Sequence, residues 1–227
     1  MRRSQGIGAA RAAQAISEGR FKEQIVPVEI KTRKGTTVFD TDEHVKGDTS
    51  LDVLSGMRPA FTKDGTVTAG NASGINDGAA AVVLVTASEV QSRGLTPLAR
   101  IVAWGHAGVE PEYMGEGPIQ AVPIALKRAG LTLDDMDVIE SNEAFAAQAC
   151  AVAKALGFDP DKVNPNGSGI SIGHPVGATG TILTIKCMYE LRRTGARYGL
   201  ITMCIGGGQG IALVIENVAG AQMEQAA

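Results

Sequence analysis

The chain predicts an α/β domain of stacked layers on a mixed sheet. Three observations carry that expectation. From about residue 79 onward, short apolar runs alternate with segments of helical periodicity. The helical segments close on glycines, among them Gly94, Gly130 and Gly157. The final stretch, YGLITMCIGGGQGIALVIE, sets two apolar runs around a glycine-rich turn and reads as a hairpin.

Taken in order, Ser4 to Ser17 has helical spacing, with Ile7, Ala10, Ala13 and Ile16 on one side. IVPVEI reads as a strand, and its Pro27 suggests an edge. Residues 31–68 are polar and irregular, a loop-rich region with short elements of the kind that covers a site. AAAVVLVTA, residues 79–87, is the short continuous apolar run of a buried strand. ASEVQSRG gives a helix ended by Gly94, and LARIVAWGHAG another strand. GPIQAVPIALKRAG is a helix opened by Pro118 and ended by Gly130, with Pro123 calling for a kink or a later start. MDVIE is a strand, NEAFAAQACAVAKALG a helix, and GATGTILTIKCMYELRRTG the last helix before the hairpin.

The 227 residues fit one large domain or one and a half ordinary ones. A hydrophobic share of 44% is enough for a real core, and 4% aromatic residues make that core aliphatic. The net charge of −3 argues against general affinity for nucleic acid or membranes. Three cysteines without a CxxC pair or zinc spacing predict no metal site and a reducing, cytoplasmic setting. The arginine-bearing start, MRRSQGIGAARAAQAIS, reads as an amphipathic surface helix in preference to a targeting peptide.

Candidate chemistry concentrates in NPNGSGISIGHPVGATG. Of the three histidines, His174 alone is framed, by Gly173 and Pro175, just before a helix start. A helix N-terminus disfavours imidazolium, so the ring should be neutral and able to accept a proton from a thiol. His44 and His106 read as structural. Cys204 ends a strand and enters IGGGQG, whose backbone N–H groups can converge on one point. A thiol with a pKa near 8.5 is a few per cent ionised at neutral pH, and so could act as general acid and base. Cys150 and Cys187 read as inert helix packing. Asn142 sits at a strand-to-helix junction, where it either caps the helix or holds a water over a site. No P-loop lysine or i, i+4 histidine pair is present.

NEAFAAQ, GHPVGATG and CIGGGQG, in that order and spacing, together with TAGNASGINDGAAAVV, resemble the thiolase family over nearly the whole chain. The likeness is to acetyl-CoA acetyltransferases and bacterial β-ketothiolases that supply polyhydroxyalkanoate synthesis. It implies a C-terminal half of layered βαβαββ form over residues 76–227, preceded by part of a loop domain over residues 1–75. It implies acyl-CoA and free CoA as substrates, no permanently bound cofactor, and a homo-oligomer of dimeric or tetrameric form.

By that resemblance, His174 activates a nucleophilic thiol and helps hold the thioester oxygen. Cys204 exchanges the α-proton, Asn142 holds an oxyanion-hole water, and Gly206 offers its N–H to the acyl oxygen. Ser73 meets pantetheine, with Phe61, Ala69, Met114, Ala144 and Phe145 either lining its tunnel or packing the core. The sequence departs from the family in carrying no CGSG-like nucleophile segment, so the chain is expected to be inactive alone. Ser141 replaces an alanine, and Val53 and Met57 replace a serine and a leucine. A half-enzyme needing a partner chain and a non-catalytic CoA-binding module are the competing expectations.

Overall fold

The computed structural model describes residues 2–218, and the chain enters it as helix α1 (Arg2–Ser17). Its buried face is Ala9, Ala12 and Ala15, while Ile7 is 46% exposed, so the face is turned from the one the spacing suggested. The reason is close approach: a side chain at Gly167 would begin 2.8 Å from the Ala12 methyl. Only alanines let the helix sit that near the 164–169 loop, and Arg11 fixes it with a 2.7 Å bond from Nη1 to the Val163 carbonyl.

Strands β1 (Val28–Thr32) and β2 (Gly35–Phe39) form a solvent-exposed hairpin. Pro27 lies just outside the first paired residue, consistent with its missing N–H. The short helices α2 (Leu51–Ser55) and α3 (Ala87–Arg93) follow. Between them, residues 79–86 join no strand among the described residues. The expected buried strand is therefore corrected: Val83 is 90% and Leu84 74% exposed. An apolar run becomes a buried strand only where a neighbouring edge accepts its hydrogen bonds, and among the described residues no such edge pairs with this one.

That bare run is an association hazard. The chain is expected to sediment as a self-associated species at micromolar concentration, and Val83→Lys with Leu84→Lys should shift it towards monomer. A monodisperse wild-type monomer would contradict this.

The remaining strands make one mixed sheet in the order β3-β6-β5-β4. They are β3 (Ala99–Gly108), β4 (Val138–Ser141), β5 (Tyr198–Ile205) and β6 (Gln209–Asn217). Strand β4 runs parallel to β5, and β6 is antiparallel to both its neighbours. Helices α4 (Gly117–Ala129) and α5 (Ala146–Leu156) cover one face, and α7 (Thr179–Thr194) the other, after a single turn, α6 (Gly169–Ile172). The expected βαβαββ layering is what forms.

Strand β5 shows why the fold needs it apolar throughout. Leu200 packs with Ala121, Val122 and Ala125 of α4, while Ile201 packs with Leu183, Cys187 and Leu191 of α7. Burial on both faces removes the alternation a half-exposed strand would show. Helix α4 runs on through Pro123, which lies on its exposed side, where water can meet the carbonyl left without an amide partner. The helix ends at Gly94, Gly130, Gly157 and Gly195 are all left-handed, with φ of 60°, 67°, 70° and 68°. Among the described residues no helix is long and apolar enough to cross a membrane, and no cluster of side chains could hold a metal.

Candidate active site

The parallel strands β4 and β5 end side by side, and the candidate groups lie at those ends. Asn164, the one described non-glycine residue with positive φ (47°), clamps the end of β4. Its carboxamide accepts from the Ser141 N–H and donates to the Ser141 carbonyl, both at 2.9 Å, as a neighbouring strand would. Ser168 Oγ adds a 3.0 Å bond to the same carbonyl. Below, the Lys186 ammonium of α7 bonds Glu140 Oε2 at 2.7 Å and the Gly167 carbonyl at 2.5 Å, tying strand, helix and loop together.

Asn142 follows, 1% exposed, its N–H bonded to the Thr202 carbonyl of β5 at 3.0 Å. It is not the helix cap that its position allowed. The cap of α5 is Phe145, held in extended conformation where residues 144–146 pair with the 71–73 segment. Ala72 bridges Phe145, Ser73 N–H donates to the Ala144 carbonyl at 2.9 Å, and Ala146 N–H donates to the Asn71 carbonyl at 3.0 Å. The Asn142 side chain is thereby free to turn to the site. Its Nδ2 donates to His174 Nε2 at 3.3 Å, and its Oδ1 is buried without a partner. An orphaned buried acceptor costs about 1–3 kcal/mol, and that cost is relieved by any donor placed there.

The half-buried His174 ring is anchored at its other nitrogen. Nδ1 lies 2.6 Å from Thr179 Oγ1, whose own proton goes to the Pro175 carbonyl at 2.9 Å. Thr179 therefore accepts from Nδ1–H, and Nε2 is left bare toward Asn142. Burial lowers the pKa of His174, so the ring is neutral as expected. The cause differs from the expected one: α7 begins only at Thr179, and it is desolvation that disfavours the charge.

Cys204 lies on β5 beyond Thr202, 6% exposed, opposite Gly210 across the hairpin. Burial pushes its thiol pKa up, so it rests protonated. No hydrogen bond joins its sulfur to the imidazole among the described residues. In the following turn Gly207 and Gly208 take φ of 85° and 86°, and Gly206 faces open space.

The structure gathers Ser73, Ala144 and Phe145 at one strand-like junction, with Ala69 exposed on the same loop. Met114 sits apart in the 3-10 turn before α4, which packs on α5 beside Gln148. Phe61 is 75% exposed on a separate bend closed by Pro59 and Thr68. Sequence reasoning missed Asn164, Ser168 and Thr179. Only Asn164 left a signal, an asparagine in a glycine-rich loop where a left-handed residue is tolerated.

Cys150, read as packed, is exposed on α5, whereas Cys187 is fully buried with its thiol pKa pushed well up by desolvation. Iodoacetamide at neutral pH should alkylate Cys150 at least about tenfold faster than Cys204, with Cys187 unreactive in the native state. Peptide mass mapping checks the order, and first labelling at Cys204 would contradict its burial.

A carboxamide, an imidazole and a thiol lie at or near the carboxyl ends of two parallel strands, the place where α/β folds commonly bind ligands. Comparison with known proteins agrees. The thiolase C-terminal domain profile matches residues 95–217, and the thiolase N-terminal domain profile residues 8–88. The chain is 63% identical over 209 residues to the beta-ketothiolase BktB of Cupriavidus necator, covering 92% of this chain and 53% of that protein. It is 53% identical to the acetyl-CoA acetyltransferase of Escherichia coli, again over 92% of this chain and 53% of that one. The crystal structure of the Bacillus anthracis acetyl-CoA acetyltransferase superposes with a TM-score of 0.91 at 48% identity, covering 96% of this chain and 56% of that one. The chain belongs to the thiolase family. It spans about half the length of the curated relatives it matches.

Proposed function

We propose that this chain carries the proton-transfer part of a thiolase site, one that condenses two acyl-CoA molecules or cleaves a 3-ketoacyl-CoA with CoA. Cys204, a thiol at rest, is the acid that returns a proton to the α-carbon in cleavage; as thiolate it is the base that removes one in condensation. The bare Nε2 of His174 accepts a proton from an attacking thiol and, once protonated, donates to the thioester oxygen. The orphaned Oδ1 of Asn142 anchors a water that donates to the enolate oxygen, and Gly206 N–H donates to an acyl oxygen. One such donor lowers the barrier by about 3–4 kcal/mol. Ser73 and its neighbours Ala144 and Phe145 bind the pantetheine arm. The observation that carries the reading is the pairing of Asn142 with His174 at 3.3 Å beside an unpartnered carboxamide oxygen.

The covalent step needs a second cysteine, and the sequence has no CGSG-like segment for it. The 63% identity to a beta-ketothiolase supports 3-ketoacyl-CoA as substrate. The test is a chimera in which this chain replaces the matching part of the Cupriavidus necator relative. Thiolysis of acetoacetyl-CoA by that protein is the expected result. A folded chimera that binds CoA but does not turn over would end the proposal.

A further inference from the structure

We propose that Asn76 and His44 are positioning residues for His174, joined to it by a one-way hydrogen-bond chain that closes only while His44 is uncharged. The chain begins at the His174 backbone N–H, which donates to Asn76 Oδ1 at 3.0 Å. Asn76 Nδ2 lies 3.3 Å from His44 Nδ1, and His44 Nε2 lies 3.2 Å from the Ile170 carbonyl.

Its direction follows from the two ends. A backbone N–H only donates, so Asn76 must present its oxygen to His174 and its NH2 to His44. A carbonyl only accepts, so His44 must carry its proton on Nε2. Nδ1 is then bare and accepts from Asn76, and every member is satisfied in one arrangement. A proton on Nδ1 would face the Asn76 NH2, donor against donor. Turning the amide over would move that conflict to the His174 N–H.

The surroundings are built for this contact. A side chain at Gly173, where φ is 102°, would begin 2.7 Å from Asn76 Oδ1. One at Gly74 would begin 2.6 Å from the same oxygen and 2.7 Å from His44 Cε1. Ile75 also bridges His174 in parallel fashion, so the 74–76 segment lies directly along the catalytic loop. From its own loop His44 has the Asp42 carboxylate as a charged neighbour, and the Lys186 ammonium of α7 also acts on that carboxylate. Helix α6, which supplies the Ile170 carbonyl, has no titratable residue, and Asp77 beyond Asn76 is exposed.

The proposal rests on His174 being catalytic, but its test does not, because it reads a tautomer and an amide in the 227-residue chain. Nitrogen-15 NMR of the His44 ring at neutral pH should show the proton on Nε2; finding it on Nδ1 overturns the proposal. Exchange of the His174 amide, corrected for its intrinsic rate, should become about tenfold faster as His44 takes a proton, the equivalent of one hydrogen bond. His44→Gln supplies a donor and an acceptor at any pH and should keep the amide protected in acid. Equal loss in wild type and variant overturns the proposal. Asn76→Asp gives an independent reading if the glutamine variant fails to fold. Its carboxylate accepts from both sides, so both ring nitrogens of His44 should carry protons and acid should no longer release the amide. Release in acid despite that change also counts against the chain. An intact chain in a catalytically dead chimera would overturn the proposed activity alone.

Discussion

Replacing Lys186 with methionine should lower the free energy of unfolding by about 3–5 kcal/mol. The ammonium and the Glu140 carboxylate have side chains only 3% and 0% exposed, and 2.7 Å separates them. Glu140 Oε1 already lacks a partner, so losing Lys186 leaves the whole carboxyl unpaired beside Cys187 and the α7 layer. The Gly167 carbonyl loses its donor in the same step. Burial pushes the Glu140 pKa up, and Lys186 opposes that rise. Without the lysine the native state binds a proton that the unfolded chain, with carboxyl pKa values near 4.3, gives up more readily. Native protons then exceed unfolded protons at this site, so its contribution to stability is fully present below about pH 4.3 and is lost as pH rises through the raised pKa. Urea unfolding across pH should show a lower midpoint at unchanged slope. Adding Glu140→Leu should restore much of the loss, since it removes the orphan instead of the attraction. A methionine variant within about 1 kcal/mol of wild type at neutral pH would mean that the pair is not buried as described.

What the sequence makes legible here is local. The helix stops at Gly94, Gly130, Gly157 and Gly195 are written in the chain because a left-handed residue is costly for anything but glycine. The β5–β6 hairpin is legible because its two-sided burial needs unbroken apolar runs. What fails is whatever a distant segment decides. The 79–87 run has the composition of a buried strand, but composition does not supply a partner edge. Asn142 sits where a cap belongs, and the pairing of residues 144–146 with 71–73 moves the cap to Phe145. His174 is legible from its glycine and proline frame, whereas Thr179, Asn76 and His44 acquire meaning only through the direction of hydrogen bonds between loops far apart in sequence.

His174→Ala in the chimera should lower kcat/KM for thiolysis by about 10³-fold or more, the largest kinetic effect expected of any residue in this chain. General acid–base catalysis by one side chain contributes about 10²–10⁴-fold, and this imidazole serves a second role as an oxyanion donor. Asn142→Ala should cost less, because the carboxamide acts through one water and leaves the proton acceptor in place. The pH profile separates the roles. Burial lowers the His174 pKa, so the neutral base persists below about pH 6.5, the ordinary imidazole value, and the acid limb of kcat/KM should lie under it. Thr179→Val removes the acceptor that holds the proton on Nδ1 and lets the ring adopt the other tautomer, which cannot take a proton at Nε2. Activity should fall with KM little changed, and Thr179→Ser, which keeps the hydroxyl, should restore most of it. An alanine at position 174 that leaves turnover within tenfold of the parent would show that the thiol is activated elsewhere, and the pairing with Asn142 would then have to be structural.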